Sequence, residues 1–303
     1  MTPSRAVRAA TEPRGGLFLV ATPIGNLEDI TLRAIRILTE ADVVACEDTR
    51  RTRALLSHLD IHRPTISLHE HNEQARIPQI LALLRGGKRV ALVCDAGTPA
   101  ISDPGAALVA AAAREGLPIV SVPGASAVTA AVALADFPAE RFAFVGFLPR
   151  GRAERRRMLE ALAELPMALV MFEAPHRVRE ALDDLARVFG DRRLMLVREL
   201  TKVHEQVLRG AAREVRAALG DTVRGEVTLV VAGAPAAPGR RDDAVGKQPR
   251  EGEGLVGATR QSPEQFLRSL LARGLSRRDA ARALEVAYGL PPREAYRMAA
   301  EQD

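Results

Sequence analysis

Three short clusters in the 303-residue chain hold side chains that could move a proton or steady a developing negative charge. "CEDTR" sets Asp48 two residues before Arg50, "FEAPHR" sets Glu173 three before His176, and "RELTK" ends on Lys202. A carboxylate can accept a proton from a hydroxyl, and a neighbouring cation can stabilise the alkoxide that forms. Lys202 stands apart because lysine occurs only at Lys88, Lys202 and Lys247, within a total of 43 lysines and arginines. Where arginine has replaced lysine almost everywhere, a retained lysine marks a position that arginine cannot serve. The same groups can also form rim salt bridges, Asp48 with Arg50 and Lys202 with Glu199, and the residues alone leave both roles open. A fourth cluster, "LHEHNE", sets His69, His71 and Glu73 within five positions. No second ligand group accompanies it, so it reads as a polar cleft wall and no metal is expected.

These clusters need elements to carry them. Short apolar runs, "LFLVA" from Leu17, "DVVAC" from Asp42, "TISL" from Thr65, "RVALVC" from Arg89 and "PIVSV" from Pro118, alternate with helix-like stretches such as "ITLRAIRILTEA". Strands alternating with helices predict an α/β fold with a mostly parallel sheet covered on both faces. Polar or turn-rich residues follow each strand in turn: "TPIGNLED", "EDTR", "HEHNE", "DAGTPAISDPG" and "PGAS". All would project from one edge of the sheet, where ligands of such folds collect. Within the fourth loop, Pro104 could open a helix capped by Asp103. No G-x-G-x-x-G follows the first strand and no P-loop occurs, so dinucleotide and P-loop nucleotide readings lack their phosphate cradles. G-x-S-x-G is also absent.

The composition changes near residue 136. Beyond it "RFAFVGF", "MALVMF", "RLMLVREL", "HEQVLRG" and "GEVTLVVAG" predict a second, mixed α+β domain. The organisation read from the chain is a disordered basic arm over 1–15, an α/β domain over 16–136, and the mixed domain over 137–233. A flexible Pro/Gly-rich linker over 234–261 and a small helical module over 262–303 complete it. In that module Ser262 caps a first helix, and Arg277, Arg278 and Arg282 sit on the middle helix of a helix-turn-helix-like arrangement. No apolar run approaches the length of a membrane span, and the arm lacks the apolar core of a signal peptide, so the expected location is cytoplasmic. Cys46 and Cys94 form no CxxC pair and read as reduced, inert thiols.

Net charge is +5. Placement says more than the total, because Arg150, Arg152, Arg155, Arg156 and Arg157 crowd around Glu154 where a helix begins. Cations there oppose the helix dipole, which suggests a compensating external anion such as RNA phosphate.

Taken in order, "ATPIGNLEDIT", "CEDTRRT", "DAGTPAISDPG", "PGASA", "FVGFLPR", "FEAPHR", "RELTK" and "GEVTLVV" resemble the ribosomal RNA small-subunit methyltransferase I family. These are cytidine 2'-O-methyltransferases of the tetrapyrrole-methylase fold family. The likeness covers about Leu17 to Gly233, and the tail resembles the family's C-terminal helix-turn-helix domain. Cys94 departs from the serine common before "DAGTP". The resemblance implies a two-domain tetrapyrrole-methylase-like fold that binds S-adenosylmethionine between its domains. It implies Gly97, Thr98, Pro99 and Ile101 on one wall, Ser126 and Ala127 on another, and Phe172, Leu200 and Thr228 from the second domain. It further implies small-subunit ribosomal RNA as acceptor, a cytidine ribose in the decoding region, and a homodimer. For catalysis Lys202 is the first candidate and Asp48 the second, with Arg50 and Glu173 on the same rims. A tetrapyrrole C-methyltransferase of the same fold and a non-catalytic ribosome-assembly factor are the alternatives.

Overall fold

Five short apolar strands build the first sheet, and successive residues along each point into two different helical coats. β1 (Gly16–Val20), β2 (Val43–Cys46), β3 (Thr65–Ser67), β4 (Arg89–Val93) and β5 (Ile119–Val122) run parallel in the order β3-β2-β4-β1-β5. Phe18, Val20, Val44, Cys46, Ala91 and Val93 share a core with α1 (Leu32–Glu40) and α2 (Thr49–His58). Leu17, Val43, Ala45, Val90 and Leu92 share the opposite core with α3 (Glu73–Arg85) and α4 (Ala106–Arg114). Burial on both faces explains why β1, β2 and β4 carry unbroken apolar runs. The computed structural model describes residues 12–220, 222–235, 263–272, 277, 281, 290 and 292–300.

Helix starts follow local chemistry. Thr31 Oγ1 accepts from the Ala34 amide at 3.0 Å to cap α1, and the Asp48 carboxylate accepts from the Arg50 amide at 2.7 Å to cap α2. α4 begins differently from the sequence expectation. Asp103 and Pro104 lie in the preceding turn, and Gly105, with φ of 120°, precedes the first helical residue. Its amide donates to Glu73 Oε1 at 2.9 Å, so a side chain from α3 closes the turn.

The second sheet has the order β6-β7-β10-β8-β9, formed by β6 (Phe142–Phe147), β7 (Ala168–Glu173), β8 (Arg193–Arg198), β9 (Gln206–Ala211) and β10 (Val227–Val231). Only β6 and β7 pair parallel; the other pairs are antiparallel. One face packs on α6 (Arg152–Leu162), α7 (Val178–Phe189) and α8 (Ala212–Ala218). The other face receives α5 (Ala127–Ala133), which leaves the first sheet directly after β5 and buries Val128 and Ala131 here. Both sheets thereby belong to one compact unit ending at Pro235, and a second unit follows from Ala236.

In that second unit, helices Pro263–Ala272 and Pro292–Ala300 contribute Leu267, Ala295 and Ala299 to a small core with Ala281. Arg277 is exposed. Arg278, Arg282, the Ser262 cap and linker residues 236–261 lie outside the described residues, as do residues 1–11. Residues 12–15 of the expected disordered arm are ordered, because Glu12 pairs with Arg33 at 3.0 Å and Arg36 at 2.9 Å on α1. Among the described residues no helix is long and apolar enough to cross a membrane.

The arginine cluster is corrected by the structure. Its compensating anion is internal: Asp184 of α7, with a fully buried side chain, lies 2.7 Å from Arg155, 2.6 Å from Arg156 and 3.4 Å from Arg152. Arg155 is itself completely buried and cannot reach an RNA, whereas Arg150, Arg152 and Arg157 are exposed. Burial alone would raise the Asp184 carboxyl, but Arg156 and Arg155 outweigh it and hold it below the ordinary aspartate value. This contribution to stability is complete above the unfolded aspartate pKa and is lost as pH falls through the lowered folded value. Asp184→Ala leaves a buried guanidinium without its partner and should destabilise the fold by about 3–5 kcal/mol at neutral pH. Urea unfolding followed by circular dichroism measures it; a loss below about 1 kcal/mol would show that the pair is dispensable.

Candidate active site

The loops that leave the carboxyl ends of β1, β2, β4 and β5 meet the second sheet where β7 ends and β10 begins. β10 runs antiparallel to β7, so Val227 pairs with Glu173 and Thr228 with Phe172. A cavity of about 380 Å3 opens between these two rims. The first sheet supplies Glu47 and Arg51 from "CEDTRRT" and Asp95, Ala96, Ile101, Ser102 and Asp103 from the loop after β4. Ala127 at the start of α5 and Ile24 close that side. The second sheet supplies Phe147, Phe172, Glu173, Glu226 and Thr228.

The loop after β4 is held in shape by backbone pairing. Thr22 and Gly97 exchange two hydrogen bonds, of 2.8 and 3.1 Å, and Gly97 has φ of 85°, which favours glycine. Thr98 Oγ1 donates to the Ala125 carbonyl at 3.3 Å, tying the loop to the turn after β5. Further along, Ala100 and Ser102 both adopt left-handed backbone, with φ of 66° and 62°, and present Ile101 between them. Non-glycine residues in that region store strain, which surrounding structure must hold in place.

The cavity is electronegative. Asp103 is pushed up to about 6, first by burial and then by the charges of Glu47, Asp95 and Glu226. Glu47 is raised for the same reasons, burial and Asp95. Arg51 offsets part of this charge through an ion pair of 3.2 Å with Asp95. Glu173 is almost completely buried, and its Oε1 accepts from Arg177 and, at 2.7 Å, from the Ala174 amide. Its Oε2 is buried with no hydrogen-bond partner.

Of the residues expected at the site, Ile101, Ala127, Phe172, Glu173 and Thr228 line the cavity together. Gly97, Thr98, Pro99 and Ser126 lie in the loops that shape its wall, and Leu200 packs into the core between α5 and the second sheet. Lys202 stands outside, in a neighbouring groove with Gly25, Asn26 and His204. Its Nζ lies 2.9 Å from Glu199 and 3.4 Å from Glu226, and Glu226 reaches the cavity. Burial pulls the Lys202 ammonium down, but the two glutamates outweigh it and raise its pKa, so it stays charged and takes up no proton. Asp48 is engaged as the α2 cap, Arg50 and His176 are exposed, and no His/Cys/Asp/Glu group among the described residues is placed to hold a metal. Sequence reasoning missed Glu47, Asp95, Phe147 and Glu226 as lining residues, although each lies inside a motif already singled out.

The model of the tetrapyrrole (corrin/porphyrin) methylases matches residues 16–216. Ribosomal RNA small subunit methyltransferase I of Halalkalibacterium halodurans is 41% identical over 286 residues, covering 94% of each protein. The protein of the same name from Thermotoga maritima is 47% identical over 220 residues, covering 72% of this chain and 99% of that one. Among solved structures, uroporphyrin-III-C-methyltransferase from Thermus thermophilus superposes with a TM-score of 0.53 at 25% identity, covering 72% of this chain and 94% of its own.

The two rims touch at Gly25, where a Cβ would come within 2.4 Å of Lys202 Cγ and 2.8 Å of the Leu200 carbonyl. The next amide, of Asn26, donates to Thr201 Oγ1 at 3.1 Å. Gly25→Ala should therefore cost about 1–3 kcal/mol through overpacking. Gly220→Ala, where a Cβ meets nothing within 4 Å, is the control in thermal unfolding. Equal melting temperatures for the two variants would show that the rims are not pressed together at this point.

Proposed function

Because the chain belongs to the ribosomal RNA small-subunit methyltransferase I family of the tetrapyrrole methylases, we propose that its cavity binds S-adenosylmethionine and directs methyl transfer to a ribose 2'-hydroxyl of a cytidine in small-subunit ribosomal RNA. The observation that carries this reading is the joining of apolar and acidic walls in one cavity. Ala96, Ala127 and Phe172 suit an uncharged nucleoside, while Glu47, Asp95, Asp103 and Glu226 favour a cationic sulfonium and ammonium. When bound, S-adenosylmethionine supplies an electrophilic methyl group on a positively charged sulfur. No pyrophosphate has to be cradled, in keeping with the missing glycine-rich fingerprint.

The protein's part is to align the hydroxyl oxygen with the methyl and to remove the hydroxyl proton. Glu173 Oε2 is the acceptor we assign, since Oε1 is already committed to Arg177 and the Ala174 amide. Lys202 acts one step away, holding Glu226 at the cavity wall through its ion pair. Arg50 and Arg53 on α2, with Arg150, Arg152 and Arg157, are exposed and offer phosphates a path outside the acidic interior. Arg277 would add a contact from the helical module. We assign the protein to the cytoplasm, with its RNA acceptor, and to a homodimer, which light scattering after size exclusion tests.

Small ribosomal subunits incubated with labelled S-adenosylmethionine should gain 2'-O-methyl label, and a uroporphyrinogen should not; the reverse pattern overturns the reading. Glu173→Gln should slow single-turnover transfer by about a hundredfold or more with donor affinity kept. A loss under about tenfold would remove Glu173 as proton acceptor. A cation bound beside Asp103 favours its ionised form. Donor binding near pH 6 should therefore release protons, and affinity should rise as pH increases from about 5 to 7.5. Calorimetry in two buffers of different ionisation enthalpy measures the release, which Asp103→Asn should abolish.

A further inference from the structure

Phe147 is more than half exposed, at 55%, in a chain with eight phenylalanines and no tryptophan. Its position is the product of one extra residue. In β6, Phe144 pairs with Val170, but Phe147, not residue 146, pairs with Phe172, leaving a bulge between them. Gly146, with φ of 72°, supplies the left-handed backbone that the bulge needs. Regular alternation would send Phe147 after Ala143 and Val145 into the core beneath α6, α7 and α8. The bulge instead turns it to the face of Phe144 and Phe172, where it lines the cavity. Its ring meets Phe172 edge to face at 5.5 Å, and Phe172 meets Phe144 in the same way at 4.9 Å, so the exposed ring is firmly backed.

From the loop after β4 the same cavity receives Ile101, itself 46% exposed and held between the two left-handed residues Ala100 and Ser102. Ser102 Oγ lies 3.4 Å from the point where Gly146 would carry a Cβ, so the strained loop and the bulge adjoin. Two independent backbone irregularities, one from each sheet, thus place an aromatic and an aliphatic side chain on the same cavity. On the same lining Glu47, Asp95 and Asp103, all less exposed than these two side chains, together with the exposed Glu226, repel phosphate. A nucleotide entering from outside must keep its phosphates on the arginine-bearing surface and rest its base on a neutral part of the lining.

We propose that Phe147 and Ile101 are the seat of the acceptor's nucleobase, with the base stacked on the Phe147 ring, Ile101 closing the other side, and the ribose directed inward. The proposal rests on the reading above that the acceptor is an RNA nucleotide. Stacking of this kind is tolerant of base identity, so the seat holds the nucleotide while other contacts select it.

Phe147→Ala and Phe147→Tyr are compared with wild type on small subunits reconstituted with either the natural or an abasic acceptor nucleotide. Phe147→Ala should raise the KM for subunits about ten- to a hundredfold, Phe147→Tyr should stay near wild type, and S-adenosylmethionine affinity should hold in both. Wild type should lose the same factor on the abasic acceptor, where Phe147→Ala loses nothing more. Independent, multiplying losses would overturn the seat, as would a Phe147→Ala effect under about twofold. A parallel fall in donor affinity would overturn it too, by showing that the ring stacks on the donor. Absence of transfer by wild type to natural subunits would instead overturn the underlying reading, and this proposal with it.

Discussion

Val128 and Ala131 of α5 are buried against the second sheet, yet β5, four residues upstream of the helix, is the edge strand of the first. So short a connection leaves the two sheets no independent placement, and burial of these apolar side chains, roughly 1.5–3 kcal/mol for a valine, decides where their rims meet. The turn between β5 and α5 is itself pressed onto β1's end, since a Cβ on Gly124 would come within 3.0 Å of the Ala21 Cβ. The Gly25 contact with Leu200 and Lys202 forms a second junction between the rims. A cavity bounded by two such junctions has its walls placed before any ligand arrives, which is what alignment of reacting atoms requires.

The apolar cores carry the stability that the rims give up. Among the described residues five non-glycines have left-handed backbone, and four of them, Ala100, Ser102, Glu199 and Thr201, flank the cavity or the Lys202 groove. Buried carboxyls add to that burden. Glu47 and Asp103 are held where ionisation is disfavoured, and Glu173 keeps one oxygen without a partner. Such features persist only where rigid neighbours over-determine them. The strands behind them, buried on both faces, are those neighbours.

All ten strands were legible from apolar runs, most plainly β1, β2, β4, β7, β8 and β10, where burial on both faces leaves a continuous apolar stretch. The loops after them were legible as motifs, and Ile101, Ala127, Phe172, Glu173 and Thr228 do meet at one cavity. What sequence could not convey was which charges face which. Arg155 reads as a surface cation until Asp184, 29 residues away, is seen to bury it. For Lys202 the sequence left a catalytic role and a salt bridge to Glu199 both open, and Glu226, the second partner, could not be foreseen. Phe147 was hidden because period-two alternation assigns faces, and a single bulge reverses the assignment downstream of it. The glycine in "FVGF" was its only trace.

Cys94, buried, directly follows β4 and precedes the lining residues Asp95 and Ala96, with its Sγ donating to the Ala96 carbonyl at 3.3 Å. Burial, and then the negative charge of Asp103, push its pKa above that of an ordinary thiol. A thiolate is a far stronger nucleophile than a ribose hydroxyl, so one placed next to a sulfonium would be an obvious victim of self-alkylation. The environment that makes the cavity acidic therefore also protects the enzyme from its own reagent. Burial first and the Asp103 charge second keep this sulfur protonated and chemically silent, so that with the donor placed as proposed above a cysteine can stand there without becoming a suicide site.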